Sequence, residues 1–446
     1  MRGRRAGVRT GIRAGLRTGA IGCVLLLAGC AGTENARSAK HEPLTVAKAP
    51  TQLPVPRGNG SEVADDYNGD GHRDLVLGDL VKGPDDAHGD DAGIGVVYGS
   101  ARGLVPGARQ LLTPARQAAR TKGQLPAVFD PEASCDLDGD GFTDLVVSTD
   151  PPYDGQGMPP VPLQLLFGSP AGLTGRAVAL SIPAQARFGN DWPDQPVCGD
   201  FDGDGAEDLV VHASDARLSY LRGPFTRKGA PRAAGAPLTS PGNAPTGPAT
   251  DVNLDGYDDL LVRTAEGTGD ADGAGSALVL GGPAGPTRTG PTLPTAVDVT
   301  VGRFGKGRAL DAAIGSLDGT SLRYDLPQGT ARGGVATPGS VLDTGDLDGD
   351  GLSELVVGGA ELRVLRGRTT GLSTAGTVTV PPPGRGTARV LTVADFTGDR
   401  RADLVVRSHE GETKDTVAVY AGSEAGLVAT EPVVSFSTSE FLGMRS

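Results

Sequence analysis

Aromatic residues are scarce in this chain: ten Phe, seven Tyr and one Trp make up 4% of 446 residues. Whatever core it builds must pack on Val, Leu and Ala. No aromatic cluster offers an obvious platform for stacking sugars. Histidine is limited to His41, His72, His88, His212 and His409, and no HExxH zinc helix is present. No GxSxG elbow, phosphate-binding loop or dinucleotide fingerprint occurs either, so the common hydrolase and nucleotide chemistries lack their residues. Basic residues are outnumbered, 41 against 54 acids. That excludes the basic stripe that nucleic-acid binding needs.

The one apolar run is N-terminal and too short to span a bilayer as a mature helix. It follows six arginines and reads AIGCVLLLAGC. Residues 1–29 therefore read as a signal peptide. Leu27-Ala28-Gly29-Cys30 resembles a bacterial lipobox, which makes Cys30 the expected lipidation site and the outer surface of the cell membrane the expected location. Removal of residues 1–29 moves the formal charge from −13 to −19. Residues 30–59, polar and without periodicity, read as a flexible tether. Residues 60–446 are left as one folded region.

Acids are abundant and patterned. The stretch Cys135 to Val147, CDLDGDGFTDLVV, crowds Asp136, Asp138, Asp140 and Asp144 into one loop. Like charges so close call for a hard cation, and Ca²⁺ takes six to eight oxygens from alternate positions of a short loop. An EF-hand would need Glu at position 12 between helices. Here position 12 is Val147, within a β-branched run. The pattern returns at Asp66, Asn68, Asp70, Asp74; at Asp200, Asp202, Asp204, Asp208; at Asp251, Asn253, Asp255, Asp259; at Asp346, Asp348, Asp350, Glu354; and at Asp395, Thr397, Asp399, Asp403. A damaged copy has Arg303, Gly305 and Gly307 at the ligand positions and keeps only Asp311. No metal is expected there; Arg303 or Lys306 is expected to stand in for the cation. Arg400 replaces the loop glycine of the last copy.

A second motif marches with the first: GVVYGSARGL (95–104), QLLFGSPAGL (164–173), SYLRGP (219–224), ALVLGGPAG (277–285), RVLRGRTTGL (363–372) and AVYAGSEAGL (418–427), with a weak copy at 321–329. It reads as a strand ending in a tight bend. Units of this size, with short strands and no helical period, fit an all-β seven-bladed propeller of four-stranded antiparallel blades with calcium loops.

These paired motifs resemble FG-GAP/VCBS repeats, of the kind in integrin α-subunit propellers and bacterial secreted proteins. The resemblance implies a calcium loop between the first and second strands of each blade, with five or six occupied sites. It implies a non-enzymatic, monomeric binding or adhesion module for a protein or glycan partner, held at the membrane by its lipid. The alternative is a secreted polysaccharide hydrolase or lyase on the same scaffold. Cys135 and Cys198 each precede a calcium loop in adjacent units, and an exported compartment permits a disulfide between them. Three further acidic loops, PDDAHGDD (84–91), GDADGAG (269–275) and NDWPDQP (190–196), have no assigned metal; Trp192 in the last can stack on a ligand or plug against the next blade.

Overall fold

The computed structural model describes residues 52–80, 93–189, 192–264, 274–409 and 415–442. The acidic loop 84–91 and most of 269–275 lie outside them, as do the signal peptide and Cys30. Among the described residues the chain forms seven antiparallel sheets in sequence order, the blades of a β-propeller, and a two-stranded ribbon of Gly422–Ser423 and Leu427–Val428. Blade 2 sets the pattern: Phe129–Cys135, Asp144–Thr149, Leu163–Leu166 and Val178–Ala179, each paired with the next. Blades 4, 5 and 6 open with Ala244–Thr250, Asp298–Gly302 and Val341–Gly345 and repeat that order. Blade 3, opening with Val197–Gly199, splits its fourth strand into Ala233–Ala234 and Leu238–Thr239. Blade 7 runs Thr387–Ala394, Asp403–His409, Asp415–Tyr420 and Val434–Ser437.

Second strands explain the repeated LVV. In Asp144–Thr149 and Asp208–Ala213 the first four residues are all buried, not alternately buried and exposed. A strand covered by a neighbouring blade on each face needs an unbroken apolar run. Seven hydrophobic clusters result, one per blade interface. The seventh joins Leu75, Leu77 and Val97 of blade 1 to Val405, Val417 and Phe436 of blade 7, which closes the ring. Arg407 seals the same seam, donating to the carbonyls of Gly78 at 2.9 Å and Asp79 at 2.6 Å.

Two features depart from the expected plan. Blade 1 has three strands among the described residues, Leu75–Leu77, Ile94–Val97 and Arg109–Leu112. Its innermost strand by repeat phase should precede Asp66, but that stretch leaves the sheet. Residues 52–59, expected within the tether, instead lie on the propeller. Leu53 N–H donates to the Gly107 carbonyl, and Gly58 and Asn59 N–H groups donate to Asn68 and Gly69.

A disulfide joins Cys135 and Cys198, whose Cα atoms are 6.3 Å apart, and so links the first strands of blades 2 and 3. Closing a loop of that length restricts the unfolded chain by about 4 kcal/mol. Reduction with a strong dithiol is therefore expected to lower the urea midpoint without changing the fold; an unchanged midpoint would remove the disulfide from the stability account.

First strands of neighbouring blades also touch, and some carry acids. Leu342 N–H donates to Asp298 at 2.7 Å, and Thr344 N–H to Asp343 at 2.7 Å. Burial raises the Asp298 pKa and pushes Asp343 up to about 6. A carboxyl whose folded pKa lies above its unfolded value keeps more protons in the folded state. Stability therefore falls as pH rises from about 4 to 6, by about 3 kcal/mol for Asp343. Asp343→Asn should recover that amount at pH 8 and almost none at pH 4, read by urea unfolding at both pH values.

Candidate metal centres

Each loop is wound by its own carboxylates. The position-1 acid accepts the backbone N–H groups at positions 5 and 6: Asp136 holds Asp140 at 3.1 Å and Gly141 at 2.7 Å. Asp66, Asp200, Asp251 and Asp346 do the same. Asp395 holds Gly398 at 2.6 Å and Arg400 at 2.8 Å, with Arg400 taking the left-handed φ of 69° usual for glycine. Position 5 in turn accepts the N–H at position 7, as Asp70 does from His72. His72 contributes its backbone here.

Position 9 faces the other way. Asp144 is fully buried and accepts Leu137 N–H at 3.1 Å and Gly168 N–H at 2.9 Å. Gly168 is the first glycine of the second motif. Asp74 holds Gly99, Asp208 holds Gly223, Asp259 holds Gly281, Glu354 holds Gly367 and Asp403 holds Gly422. One acid per blade thus staples the loop to the bend after the third strand. That is why the two motifs travel together. The bend needs glycine because a Cβ on Gly168 would sit 2.5 Å from the Thr143 carbonyl oxygen, and one on Gly223 2.0 Å from that of Glu207.

Blade 5 tests this assignment. It lost the other ligand positions but kept Asp311, which accepts Phe304 N–H at 2.9 Å and Asp325 N–H at 2.7 Å. Asp325 stands where the other bends have glycine, at φ 59°. Its carboxylate accepts the Arg308 and Ala309 N–H groups, both at 3.1 Å. A carboxylate therefore caps this basic loop, in place of the expected substitute cation. Lys306 lies elsewhere, 4.5 Å from the centroid of the Tyr324 ring.

Position 3 carries the metal argument. Asn68 Oδ1, Asp138 Oδ1, Asp202 Oδ1 and Thr397 Oγ1 are buried with no hydrogen-bond partner. All four occupy the same place in their loops. A buried acceptor left unpaired costs about 1–3 kcal/mol, more when charged. A cation in the loop would supply the missing partner. Ligand atoms of Asp136, Asp138 and Asp144 lie within 4.8 Å of one another, as do those of Asp200, Asp202 and Asp208 and those of Asp346, Asp348 and Glu354. Oxygens on one Ca²⁺ at 2.3–2.6 Å are at most about 5 Å apart. The residues present fit a hard divalent cation.

Arginines hold the outer oxygens of the same acids. Arg222 and Arg366, each just before a bend glycine, reach Asp202 and Asp348. Arg227 of blade 3 crosses to blade 2, with Nε 2.6 Å from Asp138 Oδ2 and a second contact to Asp140. Arg288 reaches Asp255 at 2.9 Å; Arg232 reaches Asp204 and Arg401 reaches Asp399. In Asp138 and Asp202 the guanidinium takes Oδ2 and leaves Oδ1 without a partner. The arginine thus orients the carboxylate and offsets part of the acidic charge. In loop 4, Asn253 Oδ1 accepts Asp255 N–H at 2.9 Å.

Burial dominates the titration of these acids. It pushes Asp74 and Asp144 up to about 8, Glu354 to about 7, and Asp138, Asp208 and Asp259 to about 6. A divalent cation reverses that logic by favouring the charged form.

Sequence reasoning missed two positions. Position 2 is a buried apolar plug in all seven loops: Tyr67, Leu137, Phe201, Val252, Phe304, Leu347 and Phe396. An apolar residue after every first ligand was the available signal. Position 8 links neighbouring loops: Asp66 N–H donates to Thr143 Oγ1 while Thr143 N–H donates to the Asp66 carbonyl, both at 3.0 Å. Asp200 pairs likewise with Asp258, and Arg303 with Ser353. Trp192 is half-buried, and its carbonyl is 3.2 Å from His212 Nδ1; Asp191 lies outside the described residues.

Residues 136–211 and 331–406 match the FG-GAP-like repeat model. The chain carries FG-GAP-like repeats. The two stretches span loops 2 and 3 and loops 6 and 7. No curated protein matches the chain. Solved structures to which it is similar include the Dos1 propeller, at 9% identity and TM-score 0.48, covering 84% of this chain and 83% of that one. Another is BBS1N in complex with ARL6DN, at 14% identity and TM-score 0.45, covering 86% and 96%. A third is the V. cholerae biofilm matrix protein Bap1, at 11% identity and TM-score 0.36, covering 87% and 97%.

Proposed function

We propose that this FG-GAP-like propeller is an exported binding module, anchored through Cys30 and stiffened by Ca²⁺ in up to six loops, that presents its loop face to a protein partner. The observation that carries this reading is the employment of the clustered acids. Positions 1, 5 and 9 are engaged by backbone N–H groups of the loop and bend, and position 3 supports a cation. Their work is to fix loop shape, which suits a rigid recognition surface. A protein partner is favoured over a glycan by the aromatics. Most are buried, and the exposed Tyr153 and Phe188 sit in different loops, with Phe188 already under Arg217. The polysaccharide-active alternative would need acids free for chemistry in a cleft.

The test is cross-linking on intact cells followed by mass spectrometry, with recombinant chain then titrated against the captured envelope protein. Saturable binding lost in EDTA and restored by millimolar Ca²⁺ supports the reading. Depolymerisation of an envelope polysaccharide by the purified chain, or binding to glycan arrays alone, overturns it. For the anchor, Cys30→Ser should release the protein into the medium.

A further inference from the structure

The third ligand position comes in two kinds. It is neutral in loops 1, 4 and 7, as Asn68, Asn253 and Thr397, and acidic in loops 2, 3 and 6, as Asp138, Asp202 and Asp348. Each acidic one carries an arginine on its Oδ2: Arg227 Nε at 2.6 Å from Asp138, Arg222 Nε at 2.6 Å from Asp202, and Arg366 on Asp348. Among the described residues no arginine meets a neutral one. The match extends to the residue before the bend glycine. It is Arg222 in blade 3 and Arg366 in blade 6, at the ends of their third strands. It is Tyr98, Leu280 and Ala421 in blades 1, 4 and 7, where position 3 is neutral. Blade 2 has Phe167 there beside an acidic position 3, and blade 3 supplies the cation instead. The Arg227 guanidinium lies 5.1 Å from the centroid of the Phe167 ring. The turn carrying Arg227 is fixed to blade 2 by the Phe225 N–H, 2.6 Å from the Leu137 carbonyl.

These pairs differ from the arginine contacts at position 5. The Asp138, Asp202 and Asp348 side chains are 7%, 0% and 2% exposed. Those of Asp140, Asp204, Asp255 and Asp399 are 32–35% exposed, so water and salt screen their pairs. A guanidinium on one oxygen of a buried aspartate offsets its charge and leaves the other oxygen to give. Asp with Arg then equals Asn electrostatically. Counted so, four acids with one arginine carry −3 in loops 2, 3 and 6, and three acids alone carry −3 in loops 1, 4 and 7. Calcium affinity in such loops follows ligand charge and rigidity. The winding does not depend on the arginine, because Asp136 already accepts the Asp140 and Gly141 N–H groups. We propose, on the calcium reading of these loops, that Arg222, Arg227 and Arg366 set the calcium affinity of their sites. They bring loops of two compositions to one charge, so that all fill over the same range of calcium.

The experiment is a calcium titration of the exported chain, with amide hydrogen exchange read by mass spectrometry on each loop peptide separately. In the parent, loops 2, 3 and 6 should gain protection at midpoints within ~3-fold of those of loops 1 and 4. Arg227→Gln keeps a neutral donor and removes the charge. It should lower the loop 2 midpoint ~10-fold and leave loops 3 and 6 where they are. Asp138→Asn should raise that midpoint ~10-fold, and the two changes together should return it to within ~3-fold of the parent. Arg227→Lys, which keeps the charge, should keep the parent midpoint. The unmoved loops show in the same sample that each variant folds. A loop 2 midpoint that Arg227→Gln leaves unchanged or raises overturns the proposal. So does a double variant no nearer the parent than either single one. A parent chain with no calcium-dependent protection in any loop removes the calcium reading itself, and the proposal with it.

Discussion

Asp144→Ala is expected to lower the unfolding free energy by about 4 kcal/mol, because it strands the buried Leu137 and Gly168 N–H groups at about 1–3 kcal/mol each. Its decisive companion is Asp311→Ala. That residue makes the same staple in the one loop with no other ligand. If the staple is structural, Asp311→Ala loses a similar amount, and the loss is the same in EDTA and in calcium. Asp138→Asn should behave in the opposite way. It alters the inward-facing oxygen and weakens the exposed Arg227 pair but breaks no staple, so its cost should be small in EDTA and large with calcium present. Urea titrations of the three variants in both buffers read all of this. An Asp311→Ala protein as stable as the parent would show that position 9 survives in blade 5 for some other reason.

The second large effect is calcium itself. Extracellular modules bind at 10⁻⁴–10⁻³ M, so 5 mM calcium stabilises each site by about 1–2 kcal/mol, and six sites by roughly 10 kcal/mol. A calcium-specific rise in melting temperature is expected, largest at alkaline pH. Without cation, burial holds Asp144 at about 8 and Glu354 at about 7. Their folded pKa values exceed the unfolded ones, so stability without calcium falls as pH rises from about 4 toward 8. Calcium needs these acids charged, so its affinity rises over the same interval and each binding event releases protons. EDTA melts should therefore worsen between pH 6 and pH 8 while calcium melts stay nearly level, so the calcium-induced rise grows over that interval. Identical melts in the two buffers, with no calcium found by elemental analysis, would end the metal reading and leave position 3 to water.

Much of the architecture was legible because each blade is a local unit. The alternation Asp136, Asp138, Asp140 sits within five residues, so its chemistry can be read without knowing the fold. A bend glycine, Gly168 in blade 2, follows the loop in six blades, at separations from 13 to 25 residues, so strand, loop and bend follow in the same order. Seven such units imply a ring, since their LVV strands must be covered on both faces. The ligand list was less complete as a description. It treated Asp144 and Asp138 alike, whereas one braces the backbone and the other faces inward with an unpaired oxygen. Spacing alone cannot separate them, because the difference lies in what each oxygen meets across the blade.

The sequence by itself determined the all-β repeat, the number of blades and the places where acids gather, since all of these arise from short-range periodicity. Only the tertiary structure decided which blade has three strands among the described residues, which arginine lies on which loop, and how Cys135 meets Cys198. Arg227 reaches Asp140 across 87 residues and between two blades. Asp66 and Thr143, 77 residues apart, interlock the first two loops. Such contacts are set by the closing of the ring, which brings distant segments together at distances that no local pattern of residues encodes.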